Sequence, residues 1–268
     1  MPRLESPFDL SGRTAVVTGA GAGIGAAIAD VLARANAHVV VADIQPRLAE
    51  DTAQEINAAG YSAEALELDV RDRAAVDAAV GGISDRRGRL DIFVNNAGII
   101  GDASPSAVSE NELDSVMAVN FKGVVFGSQA AAKVMVEQGF GSIVNVTTGG
   151  VDKPMKDVAA YTGSKAAAHQ YTRSLALELA PDGVRVNSLA AGWVETPMTR
   201  RRLKTAAGEP VDEQERQAFH AAQTARIPLG FTGDAYDQAY AVLYLVSDAA
   251  RFVTGSVVRA NGGSTMPW

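Results

Sequence analysis

Two short stretches hold residue types and spacings suited to chemistry. Thr18-Gly19-Ala20-Gly21-Ala22-Gly23-Ile24-Gly25 follows an apolar run and opens an alanine-rich segment. A glycine-rich turn of this kind lets the free N–H groups at a helix start come close to a phosphate, and the positive end of the helix dipole helps to hold it. Tyr161-Thr162-Gly163-Ser164-Lys165 sets a phenol and an ammonium four residues apart, on one face of a helix. A free tyrosine titrates at about 10, too high for base work near neutrality, and a neighbouring ammonium can lower that value. A pyrophosphate cradle and a tunable proton-transfer group on one scaffold point to hydride chemistry.

Asp43 closes the second apolar run, 24 residues beyond Gly19, with Ile44 beside it. A carboxylate there accepts hydrogen bonds from a ribose diol and repels a 2′-phosphate. Ala22 brings no positive charge to offset that repulsion, and Arg47 is the one cation close by. NAD is therefore expected over NADP.

The elements that must position these groups follow from the alternation of apolar and helical patterns. Strands are expected at 14–17, 38–42, 62–68, 90–94, 142–146, 184–188 and 256–260. Helices are expected at 24–34, 47–59, 73–87, 109–137, 157–179 and 235–247, the fifth of these stopped by Pro181 and Gly183. Strand–helix–strand alternation with right-handed crossovers implies an α/β fold, a single-domain doubly wound parallel sheet, Rossmann-like, with helices on both faces. Should Asp157 cap its helix, Tyr161 falls in the first turn, where the dipole favours an anion. The longest irregular stretch, 199–232, is charged and partly helical in pattern, and is expected to form a substrate lid.

Composition narrows the alternatives. The 268 residues are 47% hydrophobic, enough for a sizeable core, and carry a net charge of −7. That charge argues against nucleic acid and anionic membrane surfaces as partners. With no cysteine, and with His38, His169 and His220 far apart, neither a disulfide, a thiol nucleophile nor a metal site is expected. The first ten residues lack the apolar core of a signal peptide, and no apolar run approaches the ~20 residues of a membrane span. The expected setting is soluble and cytoplasmic.

Taken in order, further segments resemble the short-chain dehydrogenase/reductase family over nearly the whole chain. Thr18–Gly25 resembles its cofactor turn, Asp69-Val70 its adenine-contacting pair, and Asn95-Asn96-Ala97-Gly98 the segment after its fourth strand. Asn120 stands where the family keeps a catalytic asparagine, Tyr161 and Lys165 match its Y-x-x-x-K pair, Asn187 to Met198 resembles the stretch that holds the nicotinamide, and Gly262-Gly263 its closing motif. The resemblance implies that Tyr161 is the acid/base, that Lys165 also binds the nicotinamide ribose, and that Asn120 holds a water linking Lys165 to solvent. It further implies transfer of the pro-S hydride. Cofactor contacts are then expected from Gly19, Gly23, Ile24, Gly25, Asp43, Ile44, Asp69, Val70, Asn96, Ala97, Gly98, Tyr161, Lys165, Gly192, Val194 and Thr196, with Val194 and Thr196 at the carboxamide. The family's dimers and tetramers imply a homo-oligomer. The two long helices, with Ala130 to Ala132, Ala166 to Ala168 and Ala176, have the small residues for close packing.

Three positions depart from the family pattern. Thr148 stands thirteen residues before the tyrosine, where a serine is usual; its hydroxyl has the same donor and acceptor capacity, so it is expected to take the serine's part. Ala191 replaces a proline before Gly192, and Asn261 replaces a common aspartate. The pocket is expected from 148–160, Ile99 to Asp102 and the lid. Trp193, Met198, Phe231 and Met266 to Trp268 are candidate apolar walls. Charges in 151–156 and at Arg200, Arg201, Arg202 and Lys204 would suit a polar or anionic substrate, or simply solvated loops. The leading expectation is an NAD-dependent oxidoreductase that interconverts a small secondary alcohol and a ketone. The alternatives are a dinucleotide-binding regulator, for which only Thr148 speaks, and a lyase or epimerase on the same fold.

Overall fold

The computed structural model describes residues 6–101, 103–200, 203, 209 and 211–267. The apolar runs form seven strands: β1 (Thr14–Thr18), β2 (His38–Asp43), β3 (Ser62–Glu67), β4 (Ile92–Asn95), β5 (Gly141–Thr148), β6 (Val184–Ala191) and β7 (Val257–Val258). All neighbours pair in parallel, in the order β3-β2-β1-β4-β5-β6-β7. Central strands of such a sheet are covered on both sides and read as unbroken apolar runs rather than alternating ones, which is why TAVVT is buried at every position.

The intervening segments form α1 (Gly23–Arg34), α2 (Pro46–Ala58), α3 (Arg73–Arg87), α4 (Glu110–Met117), α5 (Gly123–Gln138), α6 (Ala159–Leu179), α7 (Pro197–Arg200), α8 (Glu213–Thr224) and α9 (Ala235–Val246). Two cores result. On one face α1, α2 and α9 pack through Ile28, Leu32, Ile56 and Leu245 onto Val17, Val41, Val94 and Val144. On the other, α3, α5 and α6 pack through Val80, Met135 and Leu179 onto Val16, Val40, Phe93 and Ile143. The chain runs outward from β1 to β3 and then crosses back to β4, so the carboxyl ends of β1 and β4 border the crevice where ligands bind in open α/β sheets.

Four boundaries differ from the pattern-based expectation. The helix expected at 109–137 is broken by a π-helical turn at Ala118–Lys122, closed by Gly123 N–H to the carbonyl of Ala118; hydrophobic periodicity does not register one added residue. The helix expected from Asp157 begins at Ala159. Asp157 has φ 59° and lies outside it, and Val158 precedes the first turn without a side-chain cap. The fourth strand starts at Ile92, because the N–H and carbonyl of Leu90 bond to the Gln138 side chain. The last strand pairs over Val257–Val258 alone, flanked by single bonds from Ser188 N–H to Ser256 and from Gly192 N–H to Ala260.

The alanines expected at a subunit interface mostly turn inward: Ala130, Ala131, Ala132, Ala168 and Ala176 are buried in the protein's own core. Among the described residues no helix is long and apolar enough to cross a membrane. Within 199–232, α8 and the end of α7 are helical as expected, whereas Arg201, Arg202 and Lys204, like Asp102 and Trp268, lie outside the described residues.

Candidate active site

The chemistry-bearing residues gather at the carboxyl edge of the sheet. Gly19 leaves β1 at φ 62°, and a Cβ there would stand 2.7 Å from the Cα of Ala97. That approach is held by Thr18, whose hydroxyl accepts from Asn96 N–H (3.1 Å) and Ala97 N–H (3.2 Å). In return the Asn96 amide donates to the carbonyls of Thr18 (3.0 Å) and Gly19 (2.9 Å). The glycine turn and the segment after β4 are thereby one rigid unit. Gly23 starts α1, with Ile24 and Gly25 in its first turn; a Cβ on Gly23 would stand 3.4 Å from Thr196. One on Gly98 would stand 3.3 Å from Asn120 Oδ1 and 3.4 Å from Lys165 Nζ. These close approaches, possible only without a Cβ at Gly19 and Gly25, bring the glycine turn, the loop after β6, Asn120 and the ammonium to one edge, and the start of α1 offers the free N–H groups that suit a pyrophosphate.

Asp43 ends β2 and turns inward. One carboxylate oxygen accepts from Gly21 N–H (3.0 Å) and the other from Gln45 N–H (2.9 Å). Ile44 beside it is half exposed. Asp69 is bonded by Arg71, which holds its carboxyl below the usual range, and Val70 packs against Gly123 at the start of α5. After β6, Gly192 bonds to Ala260, the buried Val194 bridges to Gly233, and Thr196 N–H donates to the Thr199 hydroxyl at 2.8 Å.

Tyr161 lies in the first turn of α6 even without the expected cap, so the dipole argument stands on the helix start alone. The Thr148 hydroxyl is near enough to the phenol to lower its pKa by hydrogen bonding, and it accepts from Gly150 N–H at 3.2 Å. Strand alternation explains the choice between adjacent threonines: Thr147 turns into the core and bonds to Ser188 (2.9 Å), leaving Thr148 to face the site. Burial pushes the phenol up from its ordinary value, and the bond to Thr148 pulls it down. The lowering expected from Lys165 is not seen in the protein alone, where desolvation raises the phenol and only Thr148 opposes it. Lys165 is itself buried, donates to the carbonyl of Val146 at 2.7 Å, and has its pKa lowered by burial to about 8.

Asn120 sits on the π-helical turn, fully buried. Its Oδ1 accepts from Ile99 N–H (2.8 Å), and its amide donates to the carbonyl of Ile99 (2.8 Å) and to the Ser164 hydroxyl (3.0 Å). Ser164 in turn donates to the carbonyl of Tyr161 at 2.7 Å. Sequence reasoning quoted Ser164 without giving it work. Its signal was its place beside Lys165, three residues along the helix from Tyr161, where a hydroxyl returns to its own turn. A second network that sequence reasoning missed joins β4, α5, β5 and α6: Asn95 donates to Ser128 (3.0 Å) and Asn145 (2.8 Å), and Asn145 donates to Thr172 (2.9 Å).

Some expected pocket residues are engaged elsewhere. Asp152 is paired with Arg259, and the exposed Lys153 donates to the carbonyl of Ser264, so Asp152 at least is neither a solvated charge nor free to meet a substrate. Phe231 and Met266 are mostly exposed. Trp193 meets Phe219 and His220 of α8, with ring centroids 5.9 and 5.6 Å away.

Residues 13–207 match the family model for short chain dehydrogenases. The chain is 40% identical over 259 residues to an uncharacterized oxidoreductase of Methylorubrum extorquens, covering 95% of this chain and 98% of that one. It is 36% identical to the 2,3-dihydro-2,3-dihydroxybenzoate dehydrogenase of Bacillus subtilis, covering 96% and 97%. Among solved structures it is similar to a gluconate 5-dehydrogenase from Burkholderia cenocepacia in complex with NADP and tartrate, with a TM-score of 0.88, 32% identity, and coverage of 96% and 97%.

Proposed function

The chain belongs to the short-chain dehydrogenase/reductase family of oxidoreductases, and we propose that it interconverts a small secondary alcohol and a ketone using NAD(H), with Tyr161 as the acid/base. The observation that carries this is the convergence of three groups: Thr148 is near enough to the Tyr161 phenol to lower its pKa, and Lys165, four residues along the same helix, is buried with its Nζ 2.7 Å from the Val146 carbonyl.

A bound nicotinamide dinucleotide supplies the hydride acceptor for oxidation and the donor for reduction. Gly19, Gly23, Ile24 and Gly25 hold its pyrophosphate side, Asp43 and Ile44 its adenosine ribose, and Asp69 and Val70 its adenine. Asn96, Ala97 and Gly98 line the trough, while Gly192, Val194 and Thr196 bound the nicotinamide side. Asp43 supports NAD because a carboxylate at the end of β2 would accept from a ribose diol and repel a 2′-phosphate. The relative from Burkholderia cenocepacia carries NADP, so the choice is a property to be measured on this chain.

In oxidation the Tyr161 oxygen takes the proton of the substrate hydroxyl; in reduction it gives one to the new alkoxide. Thr148 bonds to the same substrate oxygen and to Tyr161, orienting both. Lys165 adds positive charge beneath the phenol and holds the nicotinamide ribose. Asn120 fixes the turn over Lys165, and the proton path it serves runs past its backbone, since its amide is fully engaged. The bond to Thr148 also weighs against a purely regulatory protein, because a hydroxyl aimed at the phenol is what turnover requires.

A homo-oligomer suits Leu177, 82% exposed on α6, and the exposed Leu113 of α4, apolar groups that a second copy would cover. The deciding experiment follows absorbance at 340 nm across a panel of secondary alcohols and polyols with NAD and NADP in parallel, for the parent and Tyr161→Phe. NADH formation by the parent, lost in the variant, supports the proposal; turnover retained in the variant overturns it.

A further inference from the structure

The carboxyl-terminal stretch 259–265 touches three loops that border the site. Arg259 forms a two-pronged ion pair with Asp152, Nε to Oδ2 at 2.7 Å and Nη2 to Oδ1 at 3.0 Å. Lys153 donates to the carbonyl of Ser264 at 3.0 Å. Both partners lie in the loop between β5 and α6, just beyond Thr148. A Cβ on Gly149, the residue after Thr148, would stand 3.2 Å from the Thr265 hydroxyl. The stretch thus presses on the loop from its charged end and from its glycine end.

The same residues reach the other two loops. A Cβ on Gly192 would stand 2.6 Å from the Cα of Asn261, so the loop after β6 lies directly against this stretch. At the far end of the lid segment, Leu229 N–H donates to the carbonyl of Gly262 at 3.1 Å. Asn261 organises the turn from within: its amide donates to the Thr265 carbonyl (3.0 Å) and hydroxyl (2.7 Å), and its Oδ1 accepts from Gly263 N–H (2.9 Å). An aspartate, the common residue here, has no N–H to give those two bonds at neutral pH. The departure at Asn261 is what closes the turn onto Thr265 and hence onto Gly149.

We infer that Arg259, through its pair with Asp152, is a positioning residue for the reaction, clamping the loop that aims the Thr148 hydroxyl at Tyr161. This rests on the acid/base reading of Tyr161 and Thr148. The pair is partly sheltered, with the Asp152 side chain only 9% exposed. Two parallel N–H···O bonds fix direction as well as distance, which a single contact does not. Thr148 is paired with Ala191 at the end of β5, and its hydroxyl accepts from Gly150 N–H at 3.2 Å in the loop of Gly149, Gly150 and Val151, so movement of that loop acts on the hydroxyl rather than on the strand. Sub-ångström errors in a catalytic hydrogen bond have large effects on rate and small ones on binding.

The test uses the full chain and two readouts. Arg259→Ala lowers kcat about 10-fold or more, by the sensitivity of positioned groups to misplacement, while KM and the dissociation constant for NADH change less than about 3-fold. In a Thr148→Val background the same substitution has almost no further effect on kcat, since the group it positions is gone. The exchanged pair, Asp152→Arg with Arg259→Asp, recovers part of the loss. Independently of any substrate, hydrogen exchange of 148–153 rises about 10-fold in Arg259→Ala while that of 14–18 stays unchanged, as expected for a local opening. Unchanged exchange in 148–153, or a kcat loss of equal size with and without the Thr148 hydroxyl, overturns the inference. If the parent turns over no alcohol at all, the acid/base reading fails instead, and the exchange experiment still judges the clamp.

Discussion

Lys165 donates from Nζ to the carbonyl of Val146 at 2.7 Å, which pins the ammonium beneath the end of β5. The residue is 3% exposed, and burial brings its pKa from 10.5 to about 8. An amine that is harder to charge when folded penalises folding below pH 8, and that penalty fades as pH rises toward 10.5. Lys165→Met is therefore expected to be more stable than the parent at pH 7 by about 3 kcal/mol as an upper figure, with the gap narrowing from pH 8 to 9.5. Above about pH 10 Tyr161, whose pKa burial raises, acts the other way, so the comparison stops short of it. Urea unfolding of both proteins at four pH values checks this. A gap that does not move with pH would refute the buried ammonium.

The hydrogen bond between Thr148 and Tyr161 predicts a graded series. Thr148→Ser keeps turnover within about 5-fold, since the hydroxyl survives and only a methyl is lost. Thr148→Val keeps the shape and removes the hydroxyl, and kcat falls about 100-fold, in the range for one acid/base or oxyanion contact. Steady-state kinetics with NADH binding as a control distinguishes this from a folding defect. Full turnover in the valine variant means that Thr148 is only a strand-end residue.

Asp43 accepts from Gly21 N–H and Gln45 N–H, so the carboxylate proposed to meet the cofactor ribose also shapes the glycine turn. Asp43→Ala is expected to shift the ratio of kcat/KM for NADP over NAD upward by about 10-fold or more, as a like-charge repulsion is lifted. It also leaves two backbone donors short of an acceptor, at a cost of about 1–3 kcal/mol each where they stay dry. Parallel kinetics with both cofactors and a thermal melt measure the two effects. A parent that already prefers NADP would overturn the assignment at once.

Much of this was legible in the residues because the parallel sheet leaves a strong signal. Unbroken runs such as Thr14–Thr18 and glycine turns at strand ends fix both the strands and the edge where Tyr161, Lys165 and Asn120 meet. What stayed hidden depends on hydrogen bonds between distant segments. The π-helical turn at Ala118–Lys122 follows from where Gly123 N–H bonds, not from any residue's preference. Asp157 looks like a cap by type, yet its φ of 59° removes it from the helix. A lowered Tyr161 pKa is the expectation from the charge of Lys165 and the helix dipole, and the burial that raises it instead has no one-dimensional signature. The charges at Asp152 and Lys153 were weighed as substrate contacts or solvated groups, while their partners, Arg259 and Ser264, lie more than a hundred residues away.

The lid prediction rests on where α8 touches the body. Trp193 and Glu195 belong to the loop after β6, and Phe219 and His220 to α8. The three rings of Trp193, Phe219 and His220 meet edge to face with centroids 5.6–6.1 Å apart, geometry that adds about 0.5–1.5 kcal/mol per pair beyond burial. Glu195 is shared between His220 Nε2 at 3.1 Å and Arg200 Nε at 2.9 Å. Among the described residues, α8 has no buried side chain of its own, so this ring cluster and the Glu195–His220 contact are what tie it to the loop after β6. Phe219→Ala is expected to raise KM for the substrate about 3–10-fold, the effect of losing one or two such contacts from a closing segment. NADH affinity is the second readout, since Trp193 stands between Gly192 and Val194, which are proposed to bound the nicotinamide side. Hydrogen exchange in 213–224 should rise in the same variant. If KM and exchange both match the parent, α8 is not held by these rings and does not act as a substrate lid.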